Sequence, residues 1–265
     1  MRTFGEMQRR KQVLRLCCFW KLQGAGSIDE FSKYKEFYMV DSHQDIYDLI
    51  IQSGHLRGDA VYVFEKAGGE KTICHAKDLF KNITALEKDA FKNIKKSDRI
   101  LDIGAGGGRI SFYLQEKGYD ITALEKSKLI CRVLKMRGLK KIVNADLFNY
   151  FPRKKYGVGL LINFYSIFGK KKEGIIKLLN FVREKILKKG GKFILILNEP
   201  TSGKTEIIKR RFIFRGKIGP WFESVHPYSY EIRVLAENKG FLIKNFKIDN
   251  YSGQFFLILK KEIKQ

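Results

Sequence analysis

The spacing of apolar residues changes character twice along the chain and divides it into three parts. Residues 1–38 show only weak periodicity, and the sequence leaves open whether this leader belongs to the native protein. Residues 39–98 contain short segments of both helical and strand periodicity, whereas from residue 99 onward strand-like and helix-like segments alternate. We therefore predict an N-terminal helix and hairpin extension over 39–98 and a folded core over 99–265.

The extension carries a predicted helix, a predicted hairpin and a second helical stretch. Apolar residues recur at helical spacing from Ser42 to Ser53, and Asp41 or Ser42 is suited to cap this helix. From Ala60 to His75 polar and apolar residues alternate on both sides of Gly68-Gly69, which is typical of a β-hairpin. The helical period returns from Lys77 to Lys95, which predicts a helix leading into the core.

The alternation from residue 99 is the pattern of a parallel sheet whose crossover helices cover both faces. The short turn-like segment at 249–253 lies between the last two strands, so these should form a hairpin in which the final strand is antiparallel. Gly190-Gly191 is expected to end the third helix. The predicted fold class is a doubly wound α/β sheet, mostly parallel and seven-stranded, with an antiparallel last strand. The strands are predicted over 99–103, 120–124, 141–144, 158–164, 192–197, 242–248 and 255–261, and the helices over 109–117, 129–136 and 173–187.

A glycine-rich turn follows the first core strand, in the sequence RILDIGAGGGRI from Arg99 to Ile110. In an open α/β sheet, ligands bind at the carboxyl ends of the strands, and glycines allow positive φ and close approach of a ligand to the backbone. A G-x-G-x-x-G dinucleotide fingerprint counted from Gly104 would require glycine at position 109, where this chain has Arg109. A nicotinamide-dependent dehydrogenase is therefore disfavoured.

Acidic residues close the second and third core strands. Glu125 ends the second strand and is placed to accept hydrogen bonds from both hydroxyls of a ribose, although an exposed strand-end acid would look the same. Asp146 ends the third strand and is placed to accept from an adenine amine, with Leu147 and Phe148 as apolar contacts; its alternative role is a turn cap. Together with the glycine turn, the two acids predict a nucleoside site along one sheet edge.

These motifs resemble those of the class I S-adenosylmethionine-dependent methyltransferases, over residues 99–261. The family motif D-x-G-x-G-x-G is matched in full by residues 102–108, and the stretch 187–197 is similar to the family's loop and strand after the fourth helix. The resemblance implies a Rossmann-like methyltransferase fold, S-adenosylmethionine as cofactor and no metal. It implies that the glycines border the methionine half and ribose, that Glu125 takes the ribose hydroxyls, and that Asp146 with Leu147 faces the adenine. The implied cofactor-binding residues are Asp102, Gly104, Ala105, Gly106, Gly108, Glu125, Asp146, Leu147, Asn163 and Phe164.

The fourth strand, VGLLINFYSIFG, is similar to methyltransferases whose strand ends beside the reactive sulfonium. By that resemblance, Asn163 and Phe164 lie near the cofactor, and Tyr165 and Ser166 lie nearer the acceptor. Family members commonly open this strand with an aspartate after an aromatic residue, whereas here glycine follows the aromatic at 156–157. The N-P-P-[YF] tetrapeptide of many adenine and glutamine N-methyltransferases is absent, which disfavours those substrate classes.

Methyl transfer from a sulfonium is an in-line displacement, so the protein mainly positions the donor and acceptor and excludes water. A general base is useful only if the acceptor must lose a proton. The candidate bases are His226, Tyr165 and Tyr228, although each of these residue types is more often a packing or surface residue.

Charge adds a second candidate site. Lys and Arg exceed Asp and Glu by 52 to 28, a net charge of +24 that would attract phosphates or acidic partners, unless it reflects a lysine-rich proteome. Within an insertion at Asn198–Pro227, where the family usually places acceptor-specific elements, Lys204–Lys217 holds six cations and one acid. Phe212 and Phe214 are interleaved with them, which suits nucleic-acid contact by charge and stacking. A solvated basic edge strand with an inward aromatic stripe is the alternative.

The remaining composition narrows the class of protein. The four cysteines contain no C-x-x-C pair, which favours a reducing cytoplasm, and Arg15 and Lys21 interrupt the apolar run Val13–Leu22, so neither a signal peptide nor a membrane span is expected. We predict a methyltransferase acting on a small molecule, because no RNA-binding domain is recognisable. RNA methylation and non-catalytic binding of S-adenosylmethionine are the alternatives. The acceptor, the base and the oligomeric state stay open.

Overall fold

The computed structural model describes residues 38–39, 42–57, 60–80 and 83–262. The predicted leader, except residue 38, and the proposed cap Asp41 lie outside the described residues. By its internal contacts the chain divides into two compact units. The first comprises Met1–Asp78 with Lys209–Phe222, and the second comprises Leu79–Ile208 with Glu223–Gln265.

Six α-helices and thirteen strands occur in the described residues. The helices are α1 (His43–Arg57), α2 (Ala85–Phe91), α3 (Arg109–Glu116), α4 (Lys128–Met136), α5 (Glu173–Phe181) and α6 (Ser229–Asn238). The strands are β1 (Tyr38–Met39), β2 (Val61–Lys66), β3 (Lys71–His75), β4 (Arg99–Ile103), β5 (Asp120–Glu125), β6 (Ile142–Asn144), β7 (Tyr156–Ile162), β8 (Leu187–Asn198), β9 (Glu206–Phe214), β10 (Lys217–Ile218), β11 (Phe222–His226), β12 (Phe241–Asp249) and β13 (Gln254–Lys261).

The second unit contains the predicted doubly wound sheet. Its seven strands lie in the order β12-β13-β8-β7-β4-β5-β6. The pairs from β8 to β6 are parallel, and β13 is antiparallel to both β8 and β12, so the predicted fold class is confirmed. From β4 the chain passes through β5 to β6 at one edge of the sheet, and it then returns to form β7 on the other side of β4. This reversal of strand order places a ligand crevice at the carboxyl end of β4.

Both faces of this sheet are covered, which explains why its strands are apolar almost throughout. Leu101 of β4 belongs to the core formed with α5 and α6, and its neighbour Ile100 belongs to the core formed with α2 and α3. Successive side chains of a strand point to opposite faces, so one strand supplies both cores. The carboxyl ends of β4 and β5 are thereby fixed by packing on two sides.

The first unit contains a separate sheet in the order β1-β10-β9-β2-β3. The predicted hairpin is confirmed, because β2 and β3 are antiparallel and Gly68 and Gly69 have φ of +108° and +92° in the turn between them. The predicted first helix is also present, and the Ser42 hydroxyl accepts a 3.1 Å hydrogen bond from Gln44 N near its start. Pairing of β9 with β2 was not predicted.

The prediction of one continuous helix over 77–95 is wrong. A 3₁₀ turn spans Ala76–Leu79, and α2 begins separately after Thr84. Thr84 and Glu87 form a capping box, in which Thr84 N donates to Glu87 Oε2 over 2.8 Å and Glu87 N donates to Thr84 Oγ1 over 3.1 Å. This reciprocal pair satisfies backbone donors at the start of α2 and so sets a new helix start inside the apolar period.

Gly190-Gly191 does not end a helix, contrary to expectation. α5 ends at Phe181 and continues as a π-helical turn to Ile186, after which β8 begins. The two glycines lie inside β8, where the register with β7 shifts between Tyr156 and Val158, and Gly190 has a φ of +67°. They accommodate an irregular insertion in the strand pair, a position where positive φ is needed.

Candidate active site

The glycine loop, residues Gly104–Gly108, turns the chain from β4 into α3. Gly104 N and Ala105 N both donate to Leu124 O, over 2.9 and 3.2 Å, which ties the loop to the end of β5. Gly104, Gly106 and Gly108 have φ of +73°, +52° and +82°. An added Cβ at Gly104 would lie 2.3 Å from the Phe164 ring. Glycine is therefore required at Gly104 by both conformation and space.

Asp102 lies beneath the loop and not in the cleft. Its side chain is buried and accepts a 2.6 Å hydrogen bond from the Ser111 hydroxyl of α3. Burial raises the pKa of the Asp102 carboxyl to about 6, although the Ser111 hydrogen bond opposes this rise. Asp102 thus joins β4 to α3 from below, and its predicted contact with a cofactor stays a prediction.

Glu125 is fixed by backbone donors on both sides. Its Oε2 accepts from Gly106 N over 3.1 Å, and its Oε1 accepts from Ser127 N over 2.9 Å. The residue is 6% exposed, so its alternative role as an exposed strand-end acid is wrong. A carboxylate oxygen has more than one acceptor site, so accepting a backbone N–H does not by itself exclude a ligand's hydroxyl group. The two N–H groups orient the carboxylate.

A cleft of about 100 Å³ opens at the carboxyl ends of the central parallel strands. Asp146 lines it, but Asp146 Oδ1 also accepts from Phe148 N over 2.9 Å, so the carboxylate caps the 3₁₀ turn Leu147–Asn149 as well. Leu147, Phe148 and Phe164 supply apolar walls. The lining residues are Ile103, Gly104, Leu124, Glu125, Lys126, Ala145, Asp146, Leu147, Phe148, Phe164, Ser166 and Ile167.

Two carboxylates, apolar walls and a glycine cradle fit the adenosine half of S-adenosylmethionine in chemical character. The cleft volume does not fit it in size, because sites for ligands of this class span roughly 300–1,000 Å³. The Phe164 ring lies directly on Gly104, since a Cβ added at Gly104 would approach that ring to 2.3 Å. The Phe164 ring therefore narrows the cleft beside the glycine loop.

The structure brings two of the three candidate bases together. The rings of Tyr165 and His226 stack with centroids 3.8 Å apart and an interplanar angle of 5°. The Tyr165 hydroxyl accepts from Asn198 N over 2.6 Å and donates to Asn163 Oδ1 over 3.3 Å. The backbone N of Tyr228, the third candidate, donates to Thr205 Oγ1 over 3.0 Å.

Neither stacked ring lines the cleft. Tyr165 is nevertheless close to it in the chain, because Ser166 and Ile167 of the same 3₁₀ turn, Tyr165–Phe168, line the cleft. Asn163, which precedes this turn, has a φ of +51° and is exposed. The strand predicted to continue to Phe164 ends instead at Ile162. Asparagine is one of the few residues other than glycine that adopts this conformation readily.

The basic segment Lys204–Lys217 lies mainly on β9, and its description as an edge strand is wrong. β9 pairs with β10 on one side and β2 on the other. The inward aromatic stripe is confirmed, because Phe212 and Phe214 are both buried. Arg211 Nε donates to Glu65 Oε2 over 2.6 Å. Arg211 of the basic segment therefore forms an ion pair within the first unit.

Metal-binding clusters and membrane-spanning helices are both absent from the described part of the chain. No group of three or more His, Cys, Asp or Glu residues there has the arrangement of a metal site. None of the helices found there is both long enough and apolar enough to pass through a membrane.

Comparisons with known proteins bear on the fold. A protein-family model described as tellurite resistance protein TehB matches residues 72–156, which include the glycine loop, Glu125 and Asp146. No curated protein sequence matches the chain. A methyltransferase from Bacteroides fragilis, crystallised with S-adenosyl-L-homocysteine, matches with a TM-score of 0.70 at 20% identity, over 86% of this chain and 99% of that one. The chain has the fold of the class I S-adenosylmethionine-dependent methyltransferases.

Two further structures share this methyltransferase fold. An S-adenosylmethionine-dependent methyltransferase from Methanosarcina mazei matches with a TM-score of 0.54 at 17% identity, over 69% of this chain and 100% of that one. The glycopeptide N-methyltransferase MtfA, complexed with S-adenosyl-L-methionine, matches with a TM-score of 0.52 at 18% identity, over 66% and 92% of the two chains. The resemblance drawn from the motif at residues 102–108 is thus confirmed at the level of the fold.

Proposed function

We propose that the chain is an S-adenosylmethionine-dependent methyltransferase. The observation that carries this proposal is the fixed carboxylate of Glu125 at the cleft. Its two oxygens are oriented by Gly106 N and Ser127 N, at the end of a parallel strand where ribose hydroxyls bind in sheets of this topology. Two of the structures that share the fold were crystallised with S-adenosylmethionine or S-adenosylhomocysteine, which supports the same cofactor here.

The cofactor would supply an electrophilic methyl group, so the work of this chain is to bind, orient and exclude water. Glu125 would hold the ribose hydroxyls, and Asp146 with Leu147 would hold the adenine. Phe148 and Phe164 would keep water from the cleft, because their rings form its apolar walls. The proposed cofactor-binding roles of Asn163 and Ala105 rest on the family resemblance.

Among the candidate bases, the proposal favours His226 or Tyr228 over Tyr165. The Tyr165 hydroxyl both accepts from Asn198 N and donates to Asn163 Oδ1. This pattern suits a residue that positions the turn after β7 better than one that takes a proton from the acceptor.

We favour a small-molecule acceptor in a cytoplasmic setting. The known protein MtfA is named as a glycopeptide N-methyltransferase, which shows that this fold serves acceptors other than nucleic acids. The decisive experiment incubates the chain with methyl-labelled S-adenosylmethionine and separated RNA, protein and metabolite fractions. Label in the metabolite fraction supports the proposal. Binding of the cofactor without label in any fraction would favour a non-catalytic binding protein instead.

RNA methylation is the second candidate, because three lysines of the basic segment, Lys204, Lys209 and Lys217, are exposed. If this segment binds RNA, affinity should fall steeply with salt through counterion release, and neutralising these lysines should flatten that dependence. Lack of RNA binding at low salt would remove this candidate.

A further inference from the structure

The glycine loop is held on its outer side by groups that the proposed cofactor would not touch. The Gly107 carbonyl accepts a hydrogen bond from the Arg137 guanidinium. The backbone before α2 also packs against the loop, because an added Cβ at Gly107 would lie 2.5 Å from Leu79 O. The loop is therefore enclosed between its backbone bonds to β5 and this outer contact.

Arg137 is itself fixed by two aromatic rings. Its guanidinium carbon lies 4.6 Å from the ring centre of Phe80 and 4.3 Å from that of Phe112. Burial lowers the pKa of Arg137 from its ordinary value, but arginine stays charged at neutral pH. A planar cation between two rings has little freedom, so its hydrogen bond to Gly107 holds one orientation.

A second arginine ties the end of the loop to α2. Arg109, the first residue of α3, donates from both terminal nitrogens to the two oxygens of Glu87, each over 2.6 Å. Glu87 is 1% exposed and also belongs to the capping box at the start of α2. A bidentate pair of this kind fixes direction as well as distance. The loop thus has one arginine anchor behind its middle and another at its end.

We infer that Arg137, assisted by the Arg109–Glu87 pair, is a positioning residue that holds the glycine loop in its ligand-binding conformation. Arg137 acts through the Gly107 carbonyl and makes no contact with the cofactor. The identity of the ligand in this inference rests on the proposed function, whereas the order of the loop does not. The two parts can therefore be tested separately.

The first test measures hydrogen exchange in the cofactor-free chain. Arg137→Met keeps an unbranched side chain between the rings but removes the charge and the donors. We expect exchange of the amides at 104–108 to accelerate about tenfold, the factor that corresponds to about 1.4 kcal/mol. Arg183→Met is the matched control, because Arg183 Nε also donates to a backbone carbonyl, that of Gly240, over 3.3 Å. It should leave the loop amides unchanged.

The second test measures affinity for S-adenosylmethionine and S-adenosylhomocysteine by calorimetry. Arg137→Met should weaken both by a similar factor, and Arg137→Lys should restore part of the loss, because lysine can donate to the carbonyl but cannot stack as a plane. Unchanged exchange at 104–108, or faster exchange spread evenly over the sheet, would overturn the inference. If Arg137→Met accelerates exchange at the loop but the parent chain binds neither ligand, the inference is supported and the proposed cofactor is refuted.

Discussion

Replacing the Glu125 carboxylate is predicted to weaken cofactor binding by about tenfold to a hundredfold. A charge-assisted hydrogen bond contributes about 1.5–3 kcal/mol, and about 1.4 kcal/mol is a factor of ten in affinity. The factor should be the same for S-adenosylmethionine and S-adenosylhomocysteine, because the two ligands share the ribose and differ only at the sulfur. Calorimetric titration of both ligands into Glu125→Gln measures it.

The same substitution is also expected to lower the stability of the ligand-free chain. An amide can still accept from one of Gly106 N and Ser127 N, but its NH₂ group would face the other donor. One buried N–H then lacks an acceptor, which lowers the free energy of unfolding by about 1–3 kcal/mol. Glu199→Gln is a matched control, because the Glu199 carboxylate also accepts two hydrogen bonds, both from Ser229. The control should keep its cofactor affinity and lose less stability, because the Ser229 hydroxyl can accept from the new amide.

A third ligand separates ribose contact from loop disorder. A 2′-deoxy analogue of S-adenosylhomocysteine lacks one proposed partner of Glu125, so Glu125→Gln should weaken it less than the ribose form. Equal losses for both ligands would mean that the substitution acts through the loop alone. A loss confined to S-adenosylmethionine would mean that the charge acts on the sulfonium, and unchanged affinity for all ligands would remove Glu125 from the site.

Three further predictions follow from individual contacts. Because burial raises the Asp102 pKa from 3.8 to about 6, the folded chain binds this proton more tightly than the unfolded chain does. Its stabilising contribution is present below about pH 4 and is lost by about pH 6, a change of about 3 kcal/mol that Asp102→Asn should remove from melting curves across this range. Gly104→Ala should abolish cofactor binding, and adding Phe164→Ala should restore only part of it, since the positive φ stays unfavourable. Tyr165→Phe should slow methyl transfer without changing the shape of the pH–rate profile; loss of the limb in which the rate rises with pH would assign Tyr165 the role of base.

The parallel sheet and the acids at its edge were predictable from local sequence. Strands buried on both faces read as apolar runs, and the residue after such a run lies at the edge where ligands bind. Glu125 and Asp146 were found in this way. Asn163 also carried a local signal, because asparagine tolerates a positive φ, but the apolar run around it concealed the end of β7.

Contacts between distant residues could not be predicted from periodicity. Glu65 and Arg211 form an ion pair across 146 positions of sequence, and nothing local to either residue indicates the other. Arg137 is similar: at the end of α4 it looks like an ordinary cation at a helix C-terminus, and its contact with Gly107 depends on how α4 packs in the fold. The tertiary environment, and not the residue type, gives it a role.

Pairing between β2 and β9 makes two remote stretches of sequence depend on each other structurally. β2 belongs to the hairpin before the core, and β9 belongs to the insertion after β8. Loss of either strand would leave the other with an open row of backbone donors and acceptors, an edge that invites aggregation. Relatives should therefore keep or lose the hairpin and the insertion together.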